Sequence, residues 1–183
     1  MLRHTSIIAP GTLDCVEIRV AQPGDRRAVA GLLWLHASAD ERRRQSEESF
    51  ADDFAAWWSS HFDSHLAFVA RVADHGLVGM AWLALLPRVP RPGDASRRSA
   101  DIQSVFVLPQ FRGAGLGSAL VRAATAHAVT TGATRVTVSS GRRAVPLYRR
   151  LGFEASDQLL QQSVNADPGA NPGGEPSGRG VGQ

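Results

Sequence analysis

The apolar positions of this chain change period several times, and each change marks an element. Cys15–Val20 alternates and predicts a first strand. Pro23, Gly24 and Asp25 supply a turn and a cap, and a helix follows with Ala28, Val29, Leu32, Leu33 and His36 on one face. The polar stretch Asp40–Ser46, with Arg42, Arg43 and Arg44, separates it from a second helix. That helix carries Phe50, Phe54, Trp57 and Trp58 at helical spacing, and Ser49 with Asp52 reads as its capping box. His65–Val72 and Leu77–Leu86 predict two strands joined by the turn Ala73–Gly76. Pro87–Arg98, with three prolines and four arginines, predicts a long mobile loop.

The second half continues the alternation of strand and helix. Asp101–Val107 predicts a strand, and Leu116–Thr131 a helix with Leu116, Leu120, Val121 and Ala124 facing the core and Gly132 as its stop. Arg135–Ser139 predicts a short strand, and Arg143–Leu151 a short helix with Pro146 in its first turn. Gly152–Ala155 and Leu159–Val164 predict two last strands. Residues 1–14 show no pattern and are expected as a loose arm. From Asn165 onward Gly, Pro, Asn and Ser dominate, too few apolar groups to offset ordering entropy, so 165–183 is expected to be disordered. One folded domain over 15–164 remains.

Composition narrows the class. Apolar residues make up 43% of the 183 positions and charged ones 20%, an ordinary balance for a globular domain. The single cysteine, Cys15, rules out an intrachain disulfide and suits a cytoplasmic protein. No apolar run reaches the length of a membrane span, and the N-terminus lacks a basic-then-apolar leader. The net charge is only +3 and every basic residue is arginine, so charge alone does not point to nucleic acid.

Asp101–Ser118, DIQSVFVLPQFRGAGLGS, is the most specific stretch. A strand, a glycine loop and a helix start in that order leave loop and first-turn N–H groups free to meet an anion. The phosphate loop GxxxxGK[ST] is excluded because the chain has no lysine, and the dinucleotide fingerprint because the glycines run GxGxG at Gly113, Gly115 and Gly117. What remains is QxxGxG at Gln110, Gly113 and Gly115, preceded by Val105, Val107 and Pro109 and carrying Arg112. This run resembles the acyl-CoA-binding motif of the GNAT superfamily of N-acetyltransferases. A second patch, Ala144–Phe153 (AVPLYRRLGF), is similar to the helix–strand junction of that family, and the element order agrees over roughly residues 15–160. The resemblance implies an α/β (α+β) fold: a mixed, mostly antiparallel sheet of six to seven strands flanked by about four helices.

It also implies a site. Acetyl-CoA would be the cosubstrate, held by Val105, Phe106, Val107, Arg112, Gly113, Ala114, Gly115, Leu116, Gly117, Ser118 and Ser139. Arg112 would set a fixed positive charge beside the pyrophosphate. Tyr148, the only tyrosine, stands where many members place a general acid; the alternative is a core tyrosine. Asp101 matches a position that serves as base in one branch of the family, or else is a strand-start carboxylate facing solvent or pairing with Arg97 or Arg98. Arg142 and Arg143 meet CoA phosphates or solvent, and Trp57 or Trp58 borders the acceptor or fills the core. His61 and His65 lack a third ligand, so no metal is expected.

The leading expectation is acetyl transfer from acetyl-CoA to a primary amine by direct attack in a ternary complex. A non-catalytic acyl-CoA-binding or sensing domain is the alternative. A nucleic-acid binder using Arg42–Arg44 and the Arg88–Arg98 loop lacks interleaved aromatics and any recognised motif. Neither nucleic acid nor membrane is an expected partner, and a homodimer is compatible with the family.

Overall fold

The computed structural model describes residues 16–162 and the backbone of Thr5–Ile7; the stretch from Asn165 lies outside the described residues. In chain order the elements are β1 (Thr5–Ile7), β2 (Val16–Val20), α1 (Arg26–His36), α2 (Ala39–Arg42), α3 (Glu47–His61), β3 (His65–Val72) and β4 (Gly76–Pro87). Then come β5 (Arg98–Val107), α4 (Leu116–Thr130), β6 (Ala133–Val138) and α5 (Val145–Arg150). The six strands lie in sequence order in one sheet. All neighbours are antiparallel except β5 and β6, which run parallel because α4 carries the chain back between them.

Each face of the sheet has its own core. Ala81, Leu83, Ala100 and Ile102 pack under Leu116, Leu120, Val121 and Ala124 of α4, with Tyr148 of α5. Met80, Trp82 and Phe106 on the other face pack under Val29 and Leu32 of α1 and Phe54 and Trp58 of α3. β4 is buried continuously from Val78 to Leu85 because both faces are covered.

Several expected boundaries move. Val29, Ala30 and Leu32 are the buried positions of α1, while Ala28 and His36 face outward. α3 begins at Glu47, and Ser46 caps it by accepting from the Ser49 N–H at 3.2 Å; the Ser49–Asp52 box does not form. The Asp40–Ser46 stretch contains α2, closed by a capping box in which Ser38 and Glu41 exchange hydrogen bonds of 2.7 and 3.2 Å. β4 and β5 reach further than expected, so Pro87–Arg98 shrinks to the end of a hairpin with Arg91 and Asp94 paired across its tip. Within residues 1–14, Thr5–Ile7 pairs with β2.

Residues up to Phe153 form one compact unit, and Glu154 begins a second whose described part, 154–162, holds turns. The two last strands expected at Gly152–Ala155 and Leu159–Val164 do not form over 152–162. Gly152 sits at φ +86°, outside strand geometry. Leu159 and Leu160 are adjacent, so in a strand they would point to opposite faces and give neither an apolar side.

Candidate active site

β5 and β6 part company halfway along. Their pairing stops at Ile102 with Val138, the last residue of β6, whereas β5 runs on to Val107 along β4. The cause lies at Gln103. Trp82 pairs with Ser104 and Leu83 with Ile102, so Gln103 is an extra residue, a bulge that bends and over-twists the strand. Beyond it one edge of β5 has no strand partner among the described residues.

The polarity of that edge follows from register. The Leu108 N–H donates to the Val78 carbonyl at 2.9 Å, toward β4. Backbone groups alternate along a strand, so Phe106 and Ser104 also spend theirs on β4, and Val105 and Val107 aim theirs into the gap. The Val107 carbonyl is taken by Arg112 Nε at 2.9 Å. The N–H groups of Val105 and Val107 and the Val105 carbonyl therefore line the gap, a row that an extended amide-bearing chain can pair with. Phe106 does not belong to it: its backbone faces β4, and its ring is core, 5.2 Å from His36.

The gap leads to the glycine loop. After a single turn at Pro109–Phe111, which holds the exposed Gln110, the chain passes through Gly113 and Gly115 at φ +82° and +80°. These left-handed conformations favour glycine, and a Cβ at either would meet nothing within 4 Å, so the space in front of the loop is open. The first N–H of α4 with a helical partner is that of Ala119, bonded to the Gly115 carbonyl at 3.0 Å. The N–H groups of Leu116, Gly117 and Ser118 thus point out of the helix end, no carboxylate stands in its first turn, and the arrangement fits a phosphate group. Arg112 has a second task here: it ties the loop back to Val107, with its guanidinium carbon 5.7 Å from the Phe106 ring centroid.

Tyr148 is buried, 7% exposed, in the α4-side core that also holds Val107 and Leu116. Its place is set by the end of α5. Gly152 donates to the Arg149 carbonyl and Phe153 to the Tyr148 carbonyl, both at 3.0 Å, and the Phe153 and Tyr148 rings meet edge to face at 5.5 Å. This is the Schellman closure with its hydrophobic contact, so the LYRRLGF run is a device for fixing the tyrosine ring. Burial raises the pKa of the phenol, which keeps its proton in place. Among the described residues no hydrogen bond engages its hydroxyl.

Asp101 has found a partner other than Arg97 or Arg98: Thr137 Oγ1 donates to its Oδ1 at 2.7 Å, across the last stretch where β5 and β6 still pair. Ser139 and Ser140 lie just past β6, exposed, as are Arg142 and Arg143.

On the opposite face a pocket of about 430 Å³ opens beside the bulge. Leu33, Phe50, Phe54 and Trp57 form its walls, Asp53 and Gln45 stand at its rim, and Trp82, Gln103 and Ser104 form its floor. Trp57 is 39% exposed and stacks on His61 at 4.8 Å, whereas Trp58 is core, its Nε1 bonded to the His65 carbonyl at 3.1 Å. Burial, and then His61, lower the pKa of His65 behind them. Trp82 and Ser104 are cross-strand partners, and both Trp82 Nε1 and Ser104 Oγ are buried without a hydrogen-bond partner among the described residues. Sequence reasoning missed this floor. The signal was present in the polar pair Gln103–Ser104, which sets Ile102 and Val105 three apart and breaks the alternation. Among the described residues no group of three or more His, Cys, Asp or Glu could hold a metal, and no helix is long and apolar enough to cross a membrane.

Comparison with known proteins identifies the family and the fold. Residues 30–153 match the model of the acetyltransferase (GNAT) family. A glucosamine 6-phosphate N-acetyltransferase of Trypanosoma brucei brucei is 34% identical over 85 residues, 46% of this chain and 56% of the relative. A mycothiol acetyltransferase of Saccharomonospora viridis is 31% identical over 157 residues, 83% of this chain and 50% of the relative. The chain thus spans about half the length of these curated relatives. Among solved structures, a Trypanosoma brucei acetyltransferase superposes with a TM-score of 0.64 at 26% identity, covering 81% of this chain and 99% of the other. A Clostridium acetobutylicum predicted acetyltransferase solved with acetyl-CoA shares the fold, with a TM-score of 0.63 at 13% identity over 81% of this chain and 96% of the other.

Proposed function

We propose, from the premise that this chain belongs to the GNAT family of acetyltransferases, that it transfers the acetyl group of acetyl-CoA to a primary amine. The observation that carries the reading is the edge at Val105 and Val107, unpaired among the described residues, leading without interruption to the glycine loop and the open N-terminus of α4. One end suits the amides of a pantetheine arm and the other suits the pyrophosphate.

In this reading the thioester lies in the gap at the bulge, with its carbonyl oxygen on a backbone N–H of Val105 or Val107. That bond strengthens as the oxygen becomes negative, which lowers the barrier to attack. The amine enters from the pocket on the other face and reaches the same point past Gln103 and Ser104. It reacts neutral, having lost one proton to water. Its lone pair forms the C–N bond, and the tetrahedral intermediate collapses with cleavage of the C–S bond. The thiolate then takes a proton from the Tyr148 hydroxyl, and the phenolate is reprotonated by the proton that the new amide nitrogen sheds. The net change is R–NH3⁺ and acetyl-CoA to R–NH–CO–CH3, CoA-SH and one proton. Asp101, tied to Thr137, is a positioning residue that holds β5 and β6 together up to the point where they divide.

Calorimetric titration of acetyl-CoA into the full chain tests the reading, followed by release of free CoA thiol on adding a primary amine. Micromolar binding and amine-dependent thiol release are the expected results. Binding without amine-dependent release would leave a carrier or sensor of acyl-CoA, and absence of binding at millimolar ligand would refute the site itself.

A further inference from the structure

The pocket beside the bulge is specific enough to name what enters it. We propose that the acceptor is a primary amine borne on an uncharged, ring-containing apolar body, and not an amine bearing a phosphate or carboxylate. The proposal rests on the acetyl-transfer reading for its chemistry, but its binding claim stands on the pocket alone.

Three features of the pocket carry it. First, the walls are aromatic. Phe50, Phe54 and Trp57 surround a space of about 430 Å³, within the roughly 300–1,000 Å³ typical of small-molecule sites. The rings are already arranged against one another: Phe54 meets Trp82 edge-on at 5.8 Å, and Trp57 meets Trp82 at 6.1 Å. Such walls gain most from an apolar ring and attract an ammonium through their faces. Second, among the described residues the one ionised side chain lining the pocket is Asp53, and no arginine or histidine lines it. A phosphate or carboxylate inside would be desolvated beside a like charge with no cation to answer it. The adjoining outer hollow, about 610 Å³, adds Glu41 and Arg44 to the same Asp53, so the approach is also acidic on balance.

Third, the floor asks for a ligand. Trp82 is 4% exposed, and its indole N–H, like the Ser104 hydroxyl beside it, is buried with no hydrogen-bond partner among the described residues. Leaving a buried donor unsatisfied is unfavourable, so these groups mark a place where a polar atom is expected. A small turn of either side chain would let Ser104 Oγ accept from the amine and the indole N–H donate to an uncharged oxygen on the ligand. The polar end of the guest therefore lies at the floor, next to the open edge of β5, and its apolar body lies between Phe50 and Trp57. That is the orientation in which its nitrogen reaches the gap.

The test uses the full chain and two probes of equal valence at nitrogen, 2-phenylethylamine and glucosamine 6-phosphate. Tryptophan emission reads binding directly, because Trp57 and Trp82 line the pocket, and it needs no acetyl-CoA. The expected result is saturable quenching by 2-phenylethylamine and none by the sugar phosphate at the same concentrations. In turnover, kcat/KM should favour the arylalkyl amine by at least about tenfold, the scale of one buried ring contact. Trp57→Ala, at an exposed position, should raise KM for the amine about tenfold while calorimetric binding of acetyl-CoA stays unchanged. Asp53→Asn should narrow the preference for 2-phenylethylamine over glucosamine 6-phosphate, because the like charge that opposes the phosphate is removed. Quenching or turnover that favours glucosamine 6-phosphate would overturn the proposal, as would no quenching by the arylalkyl amine. If acetyl-CoA fails to bind while the quenching pattern holds, the transfer reading falls and the assignment of the pocket stands.

Discussion

Replacing Gly113 by alanine should separate the cost of backbone strain from the loss of a ligand site, provided Gly132→Ala is made alongside. The two glycines are matched. Their φ angles are +82° and +81°, and a Cβ at either meets nothing within 4 Å. Each substitution therefore carries only the left-handed penalty, roughly 1–2 kcal/mol. For a chain of this size that lowers the melting temperature by about 2–8 °C, equally in both variants. They differ in place. Gly113 lies in the loop before α4, and Gly132 follows the other end of that 15-residue helix, about 22 Å away along its axis. A methyl group at 113 projects into the space assigned to the pyrophosphate and displaces at least one charge-assisted hydrogen bond, worth roughly 1.5–3 kcal/mol. Acetyl-CoA affinity should fall about ten- to 150-fold in Gly113→Ala and stay within about twofold of wild type in Gly132→Ala. Thermal melts and calorimetry on the same samples read both quantities. Equal melting losses with equal, undiminished binding would refute the placement of the pyrophosphate.

Gly79→Ala should damage fold and site together, because its Cβ would stand 3.0 Å from the Phe106 carbonyl oxygen, 3.1 Å from Val107 and 3.3 Å from Leu120. Such overpacking costs about 1–3 kcal/mol and pushes on both β5 and α4, so melting temperature and acetyl-CoA affinity should drop in parallel. Tyr148→Phe should lower kcat roughly a hundredfold, the lower end of general-acid effects, with acetyl-CoA binding unchanged; an unaltered kcat would remove the phenol from the reaction. His127 lies against Phe68 at 5.6 Å with Nδ1 buried and unpartnered, and burial lowers its pKa. The stability linked to its neutral form is therefore complete above about pH 6.5 and lost as the pH falls through the lower folded value. Denaturant midpoints should decline more steeply below pH 6.5 in wild type than in His127→Gln; parallel profiles would contradict this.

What the chain declares in advance is whatever depends on neighbours in sequence. The strands around Ala73–Gly76, the glycine loop and the core face of α4 all follow from local period and turn chemistry. The box at Ser38 and Glu41 was equally local, a Ser-x-x-Glu pattern that sequence reasoning passed over because arginines dominate the stretch. The pocket floor was not legible in this way. Whether Trp82 is core or lining depends on the register of β4 against β5, and that register depends on one extra residue. Over 152–162 the expected strands are absent for local reasons that the apolar residues hid: Gly152 is left-handed, and Leu159 and Leu160 are adjacent and give a strand no apolar side. The direction of the Phe106 backbone, toward β4, was not legible either, because membership of a motif says nothing about which way each amide points.

The bulge at Gln103 also acts as a change of phase. Before it, the residues of β5 that face α4 are even-numbered, Ala100 and Ile102; after it they are odd, Val105 and Val107. Losing that one residue would carry Phe106 from beneath α1 to beneath α4 and turn Val105 and Val107 onto the pocket side, exchanging the two cores over the second half of the strand. Lengthening the hairpin tip at Arg91–Asp94 disturbs no such count, since the pairing on either side is anchored independently. Variation in length within this lineage should therefore collect at the tip and be excluded from the strand. The spacing from Ile102 to Gly113 would then behave as a fixed ruler, inherited whole, while the segments that frame the amine drift around it.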